Sequence, residues 1–304
     1  MRKTLQDLVK SSIIFEYSLP NKEHNINRSA YSTMKDTCFS KKADEKIAEI
    51  IYNGIVEYAI NEYEINYEDI DTENLRAIAE NVRYNENATN RTKISYGFYG
   101  EVLLYAILYS KFKADVLISK GYFFDPLERS EAKGYDAYHL IQRGTAVELW
   151  FGEAKFRVGY KKSIDEVIKG LNNSLSEKYF ERNILSISKK KHSISNGSCV
   201  IDLLKPITES WRRSVSIVIA DELKKNNITL VYPVLIAYQK QKRKDYHDNI
   251  RECINHIEEL YKTGEYNLST NINVKIFFMF LPVDDIKEIK ESVVEWISIK
   301  KPLI

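Results

Sequence analysis

ELWFGEAKF, residues 148–156, starts as a strand made for burial and ends in charge. Side chains alternate along a strand, so Val147, Leu149, Phe151, Glu153 and Lys155 share one face. Three apolar residues lead directly into an acid and a lysine. Charges at such a position are expensive to desolvate unless a partner, a metal or water-lined chemistry compensates them. The end of this strand is therefore the first place to look for function.

The surroundings of the strand decide the fold. Upstream, GYDAYHLIQ (134–142) is a second strand, separated from the first by the turn signal Gln142-Arg143-Gly144-Thr145. Before it, GFYGEVLLYAILYSKF (97–112) has apolar residues at helical spacing and ADVLISK (114–120) reads as short and extended. After it, KKSIDEVIKGLNNSL (161–175) has an apolar helical face in Ile164, Val167, Ile168, Leu171 and Leu175. Ser163 followed by Glu166 predicts a capping box there. SISKKKHSISNGS (186–198) reads as an exposed basic loop. A helix near residues 208–225, a strand in LVYPVLIAY (230–238), a helix over 245–263, a strand in VKIFFMFLPV (274–283) and a helix from about Asp284 complete the chain. An antiparallel meander followed by a crossover helix and a further strand makes a mixed sheet flanked by helices, an α/β fold.

The first ninety residues are mainly helical, with Ile47, Ile50, Ile51, Ile55, Tyr58 and Ala59 on one apolar face and Leu75, Ile78, Ala79 and Val82 on another. The polar stretch RYNENATNRTK (83–93) marks a boundary, giving a helical region over 1–92 and an α/β domain over 93–304. With 304 residues, 44% hydrophobic and 29% charged, the composition is that of a globular protein. A net charge of +2 gives no global sign of polyanion binding, but Lys155 to His192 holds ten Lys or Arg against four acids. Three scattered cysteines, Cys38, Cys199 and Cys253, match no metal-ligand spacing. No apolar run reaches membrane-spanning length and the N-terminus lacks a signal-peptide pattern, so a cytoplasmic protein with no membrane partner is expected.

Pairing Gln142 with Thr145 sets Asp136 opposite Phe151 and makes Glu153 its diagonal neighbour on the same face, roughly 7–8 Å away. Two carboxylates and the main-chain carbonyl of Ala154 suit Mg²⁺, or Mn²⁺ in its place, with positions left for water and a phosphate oxygen. Lys155 can orient the attacking water or stabilise charge that develops in the transition state. Glu101 falls on the apolar, sheet-facing side of its helix and supplies a third acid. Arg157, Lys161 and Lys162 directly follow the charged strand and are the best phosphate contacts. KKKH (189–192) and KQKRK (240–244) are equally compatible with solvated loops. His139 points to the opposite face from Asp136 by strand parity.

Asp136, the Glu-Ala-Lys of 153–155 and the preceding helical Glu101, in this order of elements, resemble the PD-(D/E)xK nuclease superfamily, with Tyr135 where the motif has proline. KGYDAYHLIQ, ELWFGEAKF and SIDEVIKGLNNSL are similar, more narrowly, to HamA, the nuclease-subunit family of the Hachiman anti-phage defence system. The likeness is carried chiefly by residues 95–180, and more weakly by VYPVLIAY and FFMFLPV. What this implies is a restriction-endonuclease-like core and metal-dependent cutting of DNA. Asp136 and Glu153 would be metal ligands, Lys155 the catalytic lysine and Glu101 an accessory acid. It also implies a helicase partner, HamB. The rival expectations are a non-catalytic nucleic-acid adaptor on the same fold and a nuclease that acts without a helicase.

Overall fold

The computed structural model describes residues 1–18, 29–33, 41–125, 128, 130–190, 218–264 and 270–304. The chain begins with helix α1 (Lys3–Ser12), a hairpin of β1 (Ile13–Ser18) and β2 (Ser29–Thr33), and the helices α2 (Lys41–Ala59), α3 (Ile70–Glu80) and α4 (Asn90–Lys93). Helix α5 (Phe98–Phe112) follows, then the short strands β3 (Asp115–Val116), β4 (Phe124–Asp125) and β5 (Ser130–Glu131). The long hairpin β6 (Ala137–Arg143) and β7 (Ala146–Arg157) leads into α6 (Tyr160–Ser174) and α7 (Glu177–Lys189). Helix α8 (Ile219–Lys225), β8 (Ile228–Gln239), α9 (Tyr246–Lys262), β9 (Val274–Val283) and α10 (Ile286–Ser298) close the order.

The central sheet runs β3-β6-β7-β8-β9, antiparallel through β7 and parallel from β7 to β9. The mixed sheet flanked by helices is thus as the sequence predicts. Strands β8 and β9 are buried on both faces, which explains their nearly unbroken apolar runs. On one face, Leu149, Phe151, Tyr232 and Phe278 form a core with α6, α7, α8 and α9. On the other, Trp150, Leu235 and Met279 share a core with α1, α2, α3, α5 and α10. Helix α5 is apolar nearly all round because it lies between the sheet and α2. The N-terminal helices therefore cover one face of the same sheet. The C-terminal tail packs back on them: the Arg2 guanidinium donates to the Ile304 carbonyl (2.9 Å) and the Tyr52 hydroxyl to that of Lys301 (2.5 Å).

Three expectations are corrected. The hairpin pairs Arg143 with Ala146 around Gly144-Thr145, not Gln142 with Thr145, because Gly144 (φ +62°) takes the left-handed first position of a two-residue turn. The slip is two residues, so each side chain keeps its predicted face. Ser163 is not an N-cap: α6 already starts at Tyr160, and the Ser163 hydroxyl donates back to the Gly159 carbonyl (2.9 Å) from inside the first turns. ADVLISK is extended only at Asp115–Val116. Ser119 is then drawn off the sheet edge, its N–H donating to Asn61 Oδ1 (2.9 Å) and its hydroxyl to the Glu57 carbonyl (3.3 Å). Helix α7 covers the start of the expected basic loop. From residue 191 on, that loop lies outside the described residues, as does the start of the helix expected from 208.

Candidate active site

The charged end of β7 lies just past a gap in its ladder to β8 and past the end of its ladder to β6. Toward β8, pairing reaches Trp150 with Val231 and resumes at Glu153 with Val234. Pro233 sits in the gap and has no N–H to give. Gly152 admits it, since a Cβ there would stand 2.8 Å from the proline Cγ. Toward β6, the last main-chain bond runs from the Asp136 N–H to the Gly152 carbonyl (2.8 Å). One step further, Asp136 Oδ2 accepts the Ala154 N–H at 2.8 Å, so a side-chain carboxylate takes the place of the next backbone acceptor. Within a strand the N–H and C=O of one residue point to the same side, and so the Ala154 carbonyl also faces the Asp136 side.

Glu153 and Lys155 are half-buried, and the Lys155 ammonium meets Glu153 Oε1 at 2.5 Å. The ladder ends at Ala137 opposite Gly152, so Asp136 lies just outside it and is tied to β7 by its own N–H to the Gly152 carbonyl and by the Ala154 N–H, not by the diagonal pairing with Glu153 predicted from sequence. Enclosure drives the Asp136 carboxyl well above the usual carboxylate range. The negative charges of Glu153 and Glu101 push it further up, and Lys120 pulls against them. Glu101 stands in the first turn of α5 and accepts the Tyr58 hydroxyl at 2.6 Å. A cavity of about 110 Å³, lined in part by Tyr58, Asn81, Arg83, Phe98, Glu101 and Lys120, opens beside it. His139 is buried on the opposite face, its ring nitrogen against the Ala114 carbonyl (3.0 Å), as strand parity predicts.

The expected phosphate contacts lie beyond this cluster. Arg157 pairs with Glu166 at 2.6 Å, and Lys161 and Lys162 are exposed in the first turn of α6. In KQKRK, Lys240 pairs with Asp284 and Lys244 with Glu252, while Lys242 and Arg243 are exposed. Lys191 and His192 of KKKH lie outside the described residues.

Sequence reasoning missed three residues of the site. Lys120 is buried at 5% exposure and donates to the Tyr135 carbonyl at 2.6 Å. Tyr179 of α7 and Tyr232 of β8 pack edge-on against Tyr135 (5.2 and 6.0 Å between centroids), and their phenols are raised in pKa by burial first and then by Glu153 and, more weakly, Asp136. A lysine inside the apolar run VLISKGYF was the available signal for Lys120. For α7 it was Phe180, Ile184 and Ile187 at helical spacing behind Ser176, which caps the helix through the Tyr179 N–H.

Among the described residues no group of three or more His, Cys, Asp or Glu side chains is arranged to hold a metal ion. The donors expected from the sequence are the carboxylates of Asp136, Glu153 and Glu101 and the Ala154 carbonyl; the three carboxylates do not form one such group, but their hard oxygens are of the kind that Mg²⁺ or Mn²⁺ takes. Burial first and then the charges of Glu153 and Glu101 raise Asp136, and a cation bound beside it would favour the ionised carboxylate. Among the described residues no helix is long and apolar enough to cross a membrane. A family model described as HamA matches residues 7–297. No curated protein and no solved structure matches the chain.

Proposed function

The chain belongs to the HamA family, a component of the Hachiman anti-phage defence system with partner subunits, and from that premise we propose that it is the system's metal-dependent DNA nuclease. The observation that carries the reading is the meeting of Asp136, Glu153 and Lys155 where β7 has run past the end of its ladder to β6. Acid, acid and lysine on adjacent strands of a mixed sheet, with Glu101 on the preceding helix, is the PD-(D/E)xK arrangement that the sequence resembles.

The Asp136 and Glu153 carboxylates and the Ala154 carbonyl would hold Mg²⁺ or Mn²⁺, with Glu101 as an accessory acid. Such an ion, when bound, neutralises phosphate charge and acidifies water. Lys155, fixed by Glu153, orients the attacking water and offsets the charge that gathers on the phosphate in the transition state. Arg157, Lys161 and Lys162 continue from the same strand toward the DNA backbone and hold it in register without reading bases. A helicase partner, HamB in the resemblance, restrains the nuclease until invading or damaged DNA engages it.

Cleavage of linear, supercoiled and single-stranded DNA by the chain, alone and with its helicase partner and ATP, tests the reading. Cutting that requires Mg²⁺ or Mn²⁺, stops with chelator and is lost in Glu153→Gln is expected. Metal-independent DNA binding with no cutting under any of these conditions would leave an adaptor instead.

A further inference from the structure

Asp136 is one residue long as a motif, yet the peptide that delivers it is held on every side. The carbonyl of Tyr135 accepts the Lys120 ammonium at 2.6 Å. The N–H of Tyr135 donates to the Tyr138 hydroxyl at 3.1 Å, and that hydroxyl donates in turn to Asn183 Oδ1 at 2.6 Å. The Tyr135 phenol donates to the Ser174 carbonyl at 2.6 Å. Gly134 makes the approach possible, because a Cβ there would stand 2.3 Å from the Tyr138 hydroxyl and 2.7 Å from Asn183 Oδ1.

We propose that Lys120 and Tyr138 form a clamp on the two main-chain polar atoms of Tyr135, and that this clamp positions the Asp136 carboxylate for metal binding. The inference rests on the reading of Asp136 as a metal ligand. Both residues act through the backbone of a neighbour, so they are positioning residues. Burying an ammonium is costly without partners. Lys120 has them in the Tyr135 carbonyl, in the faces of Phe123 and Tyr138 (5.8 Å to each ring centroid) and in the field of Asp136. The clamp also gives a reason for tyrosine rather than proline before the acid. A proline at 135 has no N–H for Tyr138 to receive.

The decisive experiment measures Mn²⁺ affinity of the full chain without DNA, by calorimetry or paramagnetic resonance, for wild type, Lys120→Met and Tyr138→Phe. Cleavage rate against Mn²⁺ concentration and DNA affinity in chelator are measured on the same samples. Groups that orient a metal ligand without touching the ion typically contribute about 10–100-fold to affinity or activity. A Mn²⁺ affinity weakened about tenfold, a cleavage rate lowered at saturating Mn²⁺ and an unchanged DNA affinity are expected for both variants. Wild-type Mn²⁺ dependence in both, with or without a lower thermal midpoint, overturns the clamp and leaves a structural contact only. Should Lys120→Met fail to fold, Tyr138→Phe decides alone, since it keeps the ring and removes only the hydroxyl. A wild type that binds Mn²⁺ but never cuts DNA refutes the nuclease reading while the affinities still judge the clamp. A wild type that binds no Mn²⁺ overturns both.

Discussion

Two aspartates, the buried Asp44 and the half-buried Asp136, sit in different settings within one chain. Asp44 of α2 reaches across to the start of α10, where Oδ1 accepts the Asp284 N–H (3.0 Å) and Oδ2 the Asp285 N–H (2.7 Å). It joins two elements that pack on each other, and Asp285 caps α10 through the Lys287 and Glu288 N–H groups. Asp136 accepts the Ala154 N–H and lies in the field of Glu153, Glu101 and Lys120, whereas the acids in the field of Asp44 are Asp284 and Asp285, whose N–H groups it binds. Burial raises both carboxyls, Asp44 to about 6. Each carboxyl thus has two acids in its field; Asp44 answers them with two backbone N–H donors, and Asp136 with the Ala154 N–H and the charge of Lys120.

The comparison can be broken most severely at Lys155. Lys155→Met is expected to lower cleavage about 100-fold or more, the scale of losing a group that stabilises the transition state, with little change in thermal midpoint. Asp44→Ala should do the reverse. Losing the acceptor of two backbone N–H groups costs about 1–2 kcal/mol, seen as a midpoint lower by roughly 2–4 °C, with cleavage intact. Acidity sharpens the contrast further. The folded pKa of Asp44 is raised above its unfolded value, so the stabilisation linked to its proton is complete below about 3.8 and is lost as pH rises through about 6. The stability of wild type relative to Asp44→Asn should therefore fall between pH 4 and pH 7, which denaturant titrations at several pH values will measure. The smallest effect is expected at Arg157, whose exposed pair with Glu166 adds little stability. Arg157→Gln should weaken DNA binding modestly and reduce its salt slope by about 1.

Much of this was legible in the sequence because strand parity is robust. Glu153 and Lys155 could be placed on the face of Leu149 and Phe151 from alternation alone, and an error of two residues in the turn left Tyr138 and Leu140 on that face. The charged end of β7 and the mixed sheet followed from period and order. What escaped was tertiary. Lys120 is 16 residues before Asp136 and Tyr138 is two after it, and nothing local announces that both bind the main chain of Tyr135. Ser163 misled for a related reason: a serine three residues before a glutamate is a cap only if the helix starts there, and the helix extends back to Tyr160.

The most direct test of the central claim, that Asp136 serves chemistry rather than folding, is to measure thermal midpoint and DNA cleavage on one preparation of Asp136→Asn. The isosteric amide still offers an oxygen to the Ala154 N–H while removing a charge from a crowded site. A midpoint equal to or above that of wild type together with lost cleavage is the expected result. Wild-type cleavage, or a midpoint that falls as it does for Asp44→Ala, would contradict the claim.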